Sequence, residues 1–353
     1  MQVSLRKEEM FMRRMAWFVM ALCVCVFFGA AGPAFAAQDV KLQPQTMTWV
    51  AGGVGGGWYV QAGGIARLIK DKEPKLVIKV VPGGGVVNPV RVSMHKDDLG
   101  WGITFVDKMA IEGQKPIYKK AYPDVRSLGG IFGIYHIHFV AARDAGIQSV
   151  AELAEKIKAG EKVKIAAPMK GTSDLPLVRR ILDFYGVSLE DIENAGGKVF
   201  HAVYADMVNL YKDKHVDYVF THLALPGAAV TEMAVSRDTQ LLDVSKECIT
   251  HVHESLGTLA QDSGHAIIPA GTYQGQERDV QAIASAGELL INKDVPEEVA
   301  YRLIQIICDN IDTLHSQNKA NRHFVPEKGW RDVAVPLHPG AEKYYKEAGY
   351  MPE

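Results

Sequence analysis

Two glycine runs carry the first chemical signal. They are Gly52-Gly53-Val54-Gly55-Gly56-Gly57 and Gly83-Gly84-Gly85, and each directly follows a short apolar stretch. Glycine lets a backbone approach a ligand closely, and free N–H groups at a helix start attract anions. One such loop is as readily a tight turn; two within one domain point to an anion site. The first run is not a dinucleotide fingerprint, because Trp58 stands where the third glycine belongs. There is no Gly-Lys-Ser/Thr phosphate loop and no Gly-x-Ser-x-Gly elbow. His136-x-His138 and His251-x-His253 could each put two imidazoles on one strand face, a spacing that metals accept. Neither pair has a carboxylate–histidine or cysteine partner motif, so hydrogen-bonded or solvated imidazoles are expected instead. Asp97-Asp98 adjoins Lys96 and reads as a solvated turn. The expectation is a binding protein rather than an enzyme, with no metal and no cofactor.

The elements that must position these residues alternate between strand and helix. Thr46 to Ala51 reads as a strand, followed by a helix with Tyr59, Ala62, Ile65, Ala66 and Ile69 on one face. Leu76 to Val81 is a second strand, with Asn88-Pro89 as cap and first helical position. Leu99 to Thr104 is a third, with Asp107 opening a helix. Ile131 to Ala142 is a longer apolar run. Ser149-Val150-Ala151-Glu152 fits a capping box for a helix to Ala159. Val163 to Ala167 is a strand, followed by the loop Lys170-Gly171-Thr172-Ser173 and a helix to Tyr185. Val216 to Thr221 leads through Leu225-Pro226-Gly227 into a helix from Ala228 to Val235. Ala282 to Ile291 and Glu297 to Asn310 read as a late strand and a long helix. Such alternation means an α/β protein whose ligands sit beyond the carboxyl ends of its strands.

The chain has 353 residues, a net charge of −2 and 48% hydrophobic side chains, which suggests two folded units of ordinary size. Near-neutral charge argues against a nucleic-acid partner. Arg6, Lys7, Arg13 and Arg14 precede an apolar run from Ala16 to Ala31, and Ala34-Phe35-Ala36 gives a small-x-small site. Residues 1–36 therefore read as a cleaved signal peptide, too short in its apolar run for a spanning helix, and the mature chain is expected in the periplasm, not embedded in the membrane. Only Cys248 and Cys308 remain after cleavage. An oxidising compartment permits a disulfide, but the helical apolar setting of Cys308 favours two free thiols.

Taken in order, these motifs carry a resemblance. The glycine run with Trp58-Tyr59, the segment Pro82-Gly83 to Asn88, and Asp107 after the third strand resemble the TAXI family. So do Ala270-Gly271-Thr272-Tyr273 and Pro336-Leu337-His338-Pro339-Gly340-Ala341 with Tyr344-Tyr345. That family comprises the exported solute receptors of TRAP (tripartite ATP-independent periplasmic) transporters. The resemblance implies a type II periplasmic-binding-protein fold: two α/β lobes of mixed, mainly parallel sheet, with a ligand cleft between them. Residues 37–137 with 245–353 would form one lobe and 138–244 the other, the run around Tyr135 to Val140 supplying one crossing strand. Known ligands are small organic anions such as glutamate, and the partners are the membrane subunits of a sodium-coupled permease.

The family loop usually reads Gly-Gly-Thr-Tyr-Tyr, where this chain has Gly55-Gly56-Gly57-Trp58-Tyr59. Ser-Val-x-Asn appears as Gly85-Val86-Val87-Asn88, Gln-Ser as Phe105-Val106, and Pro-Gly-Ser-Gly-Thr as Pro168-Met169-Lys170-Gly171-Thr172. Hydroxyls fall, aromatic surface rises and one cation arrives. The ligand expected is a carboxylate bulkier or more apolar than glutamate, paired with Lys170 and covered by Trp58 and Phe105. The other expectation for these three is that the two aromatics turn into their own lobe's core and Lys170 faces solvent. Gly55, Gly56, Gly57, Tyr59, Asn88, Thr104 and Asp107 complete the binding set from the first lobe, and Gly171, Thr172, Ser173 and Pro226 from the second. His136 and His222 lie near the crossing strands. A module presenting a solute to a sensor protein and a secreted metal-dependent enzyme are the alternatives.

Overall fold

The computed structural model describes residues 42–54 and 56–352. The signal peptide read at 1–36 and Gly55 lie outside the described residues.

The chain opens with β1 (Gln45–Val50), α1 (Gly57–Lys72), β2 (Leu76–Val81), α2 (Asn88–Ser93), β3 (Leu99–Ile103) and α3 (Thr104–Glu112). Helix α1 forms because Ala62, Ile65, Ala66 and Ile69 recur at helical spacing and are all buried. It ends at Lys72 because Glu73 precedes Pro74, whose ring disfavours helical backbone at the residue before it. Next come β4 (Val125–Ala142), α4 (Val150–Lys158), β5 (Lys164–Pro168), α5 (Asp174–Phe184), α6 (Leu189–Asn194) and β6 (Lys198–Ala202). They are followed by α7 (Tyr204–Lys212), β7 (Tyr218–Ala224), α8 (Ala228–Ser236), β8 (Thr239–Leu241) and α9 (Lys246–Leu256). The last elements are β9 (Ile267–Ile268), β10 (Val280–Gln281), β11 (Ala284–Asn292), α10 (Glu297–Asp309), α11 (Ile311–Gln317) and α12 (Pro339–Glu347).

Nine strands form one sheet in the order β2-β1-β3-β11-β4-β7-β5-β6, with β8 also on β4. The wings are parallel: β1 lies between β2 and β3, and β5 between β6 and β7. The centre is antiparallel, because β11 runs against β3 and β4, and β4 runs against β7 and β8. Each half therefore repeats one plan of outer, first, third, returning and edge strand. Strand β4 belongs to both halves. Val125 to His136 pairs with β11, while Tyr135 to Ala141 pairs with β7. Near the changeover Ile131 takes φ +58°, a left-handed conformation that a β-branched residue adopts at a cost of about 1–2 kcal/mol. The register against β11 shifts in the same region, between Ala286 and Glu288.

The first arm's core holds Trp49, Trp101, Phe132, Phe324 and Tyr345, with Phe132 and Phe324 stacked at 4.2 Å. The second is centred on Phe139 and Phe220, whose rings lie 4.6 Å apart. Cys248 on α9 and Cys308 on α10 are buried free thiols. The C-terminal motif is a fold element: Ser127 donates to Pro336 O, His338 donates to Ser127 O, and the Tyr345 hydroxyl donates to Leu128 O at 3.0 Å.

Two expected caps differ in detail. Ser149 caps α4 by accepting from the Glu152 N–H, but the Glu152 carboxylate takes the N–H of Gln148 rather than that of Ser149. A full capping box occurs instead at Ser188 and Asp191, at the start of α6. Asn88 caps nothing. Val87 holds the N-cap position, and the fully buried Asn88 amide donates to Ala51 O at 2.7 Å and Trp101 O at 2.8 Å while accepting from Gly84 N–H. One side chain thus ties together the end of β1, the middle of β3 and the glycine loop after β2. Asn88→Ala would strand these groups without water, and a loss of about 2–3 kcal/mol is expected, read as a lower urea midpoint at unchanged slope.

Candidate functional site

The carboxyl ends of the strands in both arms meet across one cleft edge. The loop after β2 reaches the loop after β5, where Val86 N–H donates to Gly171 O at 3.1 Å. Gly171 has φ +89°, and the Thr172 hydroxyl donates back to Met169 O at 2.8 Å. Lys170 stands exposed beside them, with no ion pair among the described residues. Thr104 is half-buried at the first turn of α3. Pro226, at the turn into α8, is exposed.

Beneath this edge an aromatic chain joins the arms. Trp58, half-buried in the first turn of α1, accepts a hydrogen bond on its carbonyl from the Trp101 indole at 2.9 Å. Its ring lies 6.4 Å from Trp101 and edge-on at 5.8 Å to Tyr135 of β4. Tyr135 fits because Gly133 leaves space: a Cβ there would meet its hydroxyl at 2.7 Å. The Tyr135 hydroxyl donates to Gln61 Oε1 at 3.3 Å, and its ring lies 6.1 Å from His222 of β7.

His222 begins a buried polar group. Its Nε2 lies 2.8 Å from Ser285 Oγ and 3.2 Å from Tyr135 O, and its Nδ1 is 3.8 Å from Asp174 Oδ1. Asp174, in the first turn of α5, accepts from the Tyr204 hydroxyl and from Ser173 Oγ. Burial pushes the Asp174 carboxyl up to about 6, against the pull of those hydrogen bonds, and pushes His222 down to about 4. Ser285 is fully buried and the imidazole–carboxyl gap exceeds a hydrogen bond, so this trio presents no nucleophile to a substrate. His136 directs Nε2 to His265 O, and His138 to the Tyr273 hydroxyl, each at 2.8 Å. Burial lowers both imidazoles to about 3. His136 and His138 share a strand face as the spacing suggests, but each is tied to its own partner.

Several of the residues expected at the ligand lie buried or are engaged within the protein. Phe105 is 1% exposed and packs in the core, and Asn88 is the strand tie already described. The Tyr59 hydroxyl donates to Val80 O at 3.3 Å, within its own arm. Asp107 is fully buried with neither carboxylate oxygen hydrogen-bonded, beside Glu288 of β11. Gly56, Gly57, Trp58, Thr104, Lys170, Gly171 and Thr172 keep exposed or half-buried positions at strand-to-helix turns. Ser173 and His222 lie just below them, each 5% exposed. Tyr135, Asp174, Tyr204 and Ser285 went unread in the sequence. Asp174 carried the one available signal, because it follows Thr172-Ser173 at a helix start.

The two carboxyls give a pH signature. Burial and then the Glu288 charge raise Asp107 well above the usual range, and burial raises Glu288 to about 7. Between the ordinary carboxyl range, near pH 4, and pH 7 the folded chain holds more protons than the unfolded one, so this pair's contribution falls as pH rises. Asp107→Asn is expected to gain stability relative to the parent between pH 5 and pH 8, measured by urea denaturation at both. A constant difference would place the pair's titration outside this window. His222 acts oppositely, disfavouring the folded state as pH falls below about 6.5.

The fold recurs in solved structures. The periplasmic binding protein BugD matches with a TM-score of 0.53 at 15% identity, over 88% of this chain and 94% of that one. MatC from Rhodopseudomonas palustris, solved with bound malate, matches with a TM-score of 0.52 at 13% identity, over 86% and 97%. PhnD1 from Prochlorococcus marinus, in complex with methylphosphonate, matches with a TM-score of 0.50 at 11% identity, over 88% and 100%. The architecture is the type II periplasmic-binding-protein fold, with two lobes and a cleft between them. Among the described residues, no helix is long and apolar enough to cross a membrane. The model of the NMT1-like family matches residues 50–349, and this chain belongs to the NMT1-like family.

Proposed function

We propose that this chain is a periplasmic receptor, exported through a cleaved signal peptide, that captures a small organic anion between its lobes. It then hands the anion to the membrane subunits of a TRAP transporter for sodium-coupled uptake. We place the first lobe crossing near residue 137, as in the sequence reading. The return belongs near residue 283 rather than 245, because α9 packs against α5 and Val244 N–H bonds to Gln281 O.

The observation that carries the reading is the start of α1. This 16-residue helix opens at Gly57, with no side-chain cap and no acid in its first turn, and the half-buried Trp58 ring lies beside it against Tyr135. Such a terminus favours an anion while the rings accept an apolar body. Lys170 supplies a cation from the opposite lobe. MatC holds malate in the same fold, which supports a carboxylate here. Loss of hydroxyls around the cleft supports a carboxylate more apolar than glutamate.

Mass spectrometry of the acid released on denaturing the purified protein, with metal analysis on the same sample, tests the reading. One carboxylate per chain without metal is expected; zinc without organic acid would overturn it. With that acid in hand, Lys170→Ala is expected to weaken binding by up to about fivefold and flatten its salt dependence, since an exposed ion pair contributes about 0.2–1 kcal/mol. Trp58→Ala should weaken it by about tenfold at any salt. Unchanged titration curves for both variants would remove these residues from the site.

A further inference from the structure

The loops after β2 and β5 were each expected to hold ligand, yet here they hold each other. Val86 N–H donates to Gly171 O at 3.1 Å, and the Val86 carbonyl accepts from the Tyr118 hydroxyl at 2.8 Å. Val86 is thereby fixed to its own lobe on one side and to the opposite lobe on the other. The approach is too close for side chains. A Cβ on Gly84 would come 2.8 Å from Gly171 O, and one on Gly85 would come 2.6 Å from Ser173 Cβ and 2.7 Å from Ser173 Oγ. The nearest atoms to a Gly85 Cβ all belong to Ser173 of the other lobe, so this glycine is required for the meeting of the lobes and not for the packing of its own. A Cβ contact below 3.0 Å forces something to move, and the softest motion in a two-lobed fold is the hinge.

We propose that Gly84, Gly85 and Val86 form a direct latch onto Gly171 and Ser173, which closes the cleft edge without any ligand between the loops. A solute is then excluded from the gap between these two loops, while the side nearer Trp58 and Tyr135 and the exposed Lys170 side chain stay open to it. The latch rests on the two-lobe reading above but is independent of which anion is bound and of the membrane partner.

The test uses the full mature chain, unfolded and refolded to strip any bound molecule, with no ligand added. Amide hydrogen exchange at Val86 is followed by NMR. An amide bonded across a closed edge is protected; in an open protein it faces water. Val86 in the parent is expected to exchange at least about tenfold more slowly than in Gly85→Ala. The amides of β1 and β3 should keep their protection, showing that the variant is folded. Gly85→Ala combined with Ser173→Gly removes the two nearest opposing atoms, leaving the residue 173 nitrogen at 3.1 Å, and should restore slow exchange at Val86. Gly84→Ala, which meets Gly171 O instead, provides an independent second opening variant. Small-angle scattering should give a larger radius of gyration for both single variants than for the parent. Fast exchange at Val86 in the stripped parent, equal to that in Gly85→Ala, would overturn the latch. So would a double variant that stays as open as the single one. Neither result depends on recovering an organic acid, so failure of the latch and failure of the transport reading are separable.

Discussion

The structure depends on one strand belonging to two halves of a sheet. Strand β4 runs 18 residues, about 60 Å at roughly 3.3 Å per residue, and is hydrogen-bonded along both edges. Each half of the chain completes its sheet on it, so the two halves share this one strand. Motion between the arms has to be taken up where β4 and β11 are least regular. That place is marked by Ile131 in the left-handed region and by the register shift opposite it. Strain of this kind persists only where the surroundings over-determine it, and here the ladders on either side hold it.

The cleft divides polar work unevenly. Groups at its edge are backbone N–H and C=O, a threonine hydroxyl and one exposed lysine, whereas every strongly shifted carboxyl and imidazole lies beneath. Asp107 with Glu288 favours acid conditions and His222 disfavours them, so the fold carries opposed titrations that overlap on the acid side of neutrality. The aromatic chain runs between these layers, with Trp58 half-buried and Trp49 closed inside.

The strand–helix order was legible because the apolar runs are short and each ends in glycine, proline or a capping residue. Strand β2 falls where the sequence puts it, at Leu76–Val81. Strand β4 starts at Val125 rather than Ile131 and carries Gly129 and Gly130 within it, outside the apolar run. In the structure they are sites of close approach, where a Gly129 Cβ would meet the Tyr345 hydroxyl at 2.6 Å. Strand β6 and helix α7 escaped notice since Lys198 to Ala202 is mostly half-exposed and alternates weakly. In the site, residue type placed the turns correctly but not the direction of side chains. Asn88, Phe105 and Asp107 occupy the expected turns and point inward, and only packing decides that. Tyr135 was invisible for the same reason: its role comes from glycines on strands that the sequence does not show to be neighbours.

The indoles have an optical consequence. Trp49, Trp101 and Trp58 form a relay with centroid separations of 5.1 and 6.4 Å, short enough for their excited states to couple. Two of the three are sealed in the first arm, while the third is half-buried with its ring against Tyr135 of β4. The three indoles therefore absorb as a coupled set, one member of which is half-buried beside β4. The molecule thus carries an intrinsic chromophore beside the strand that both halves share.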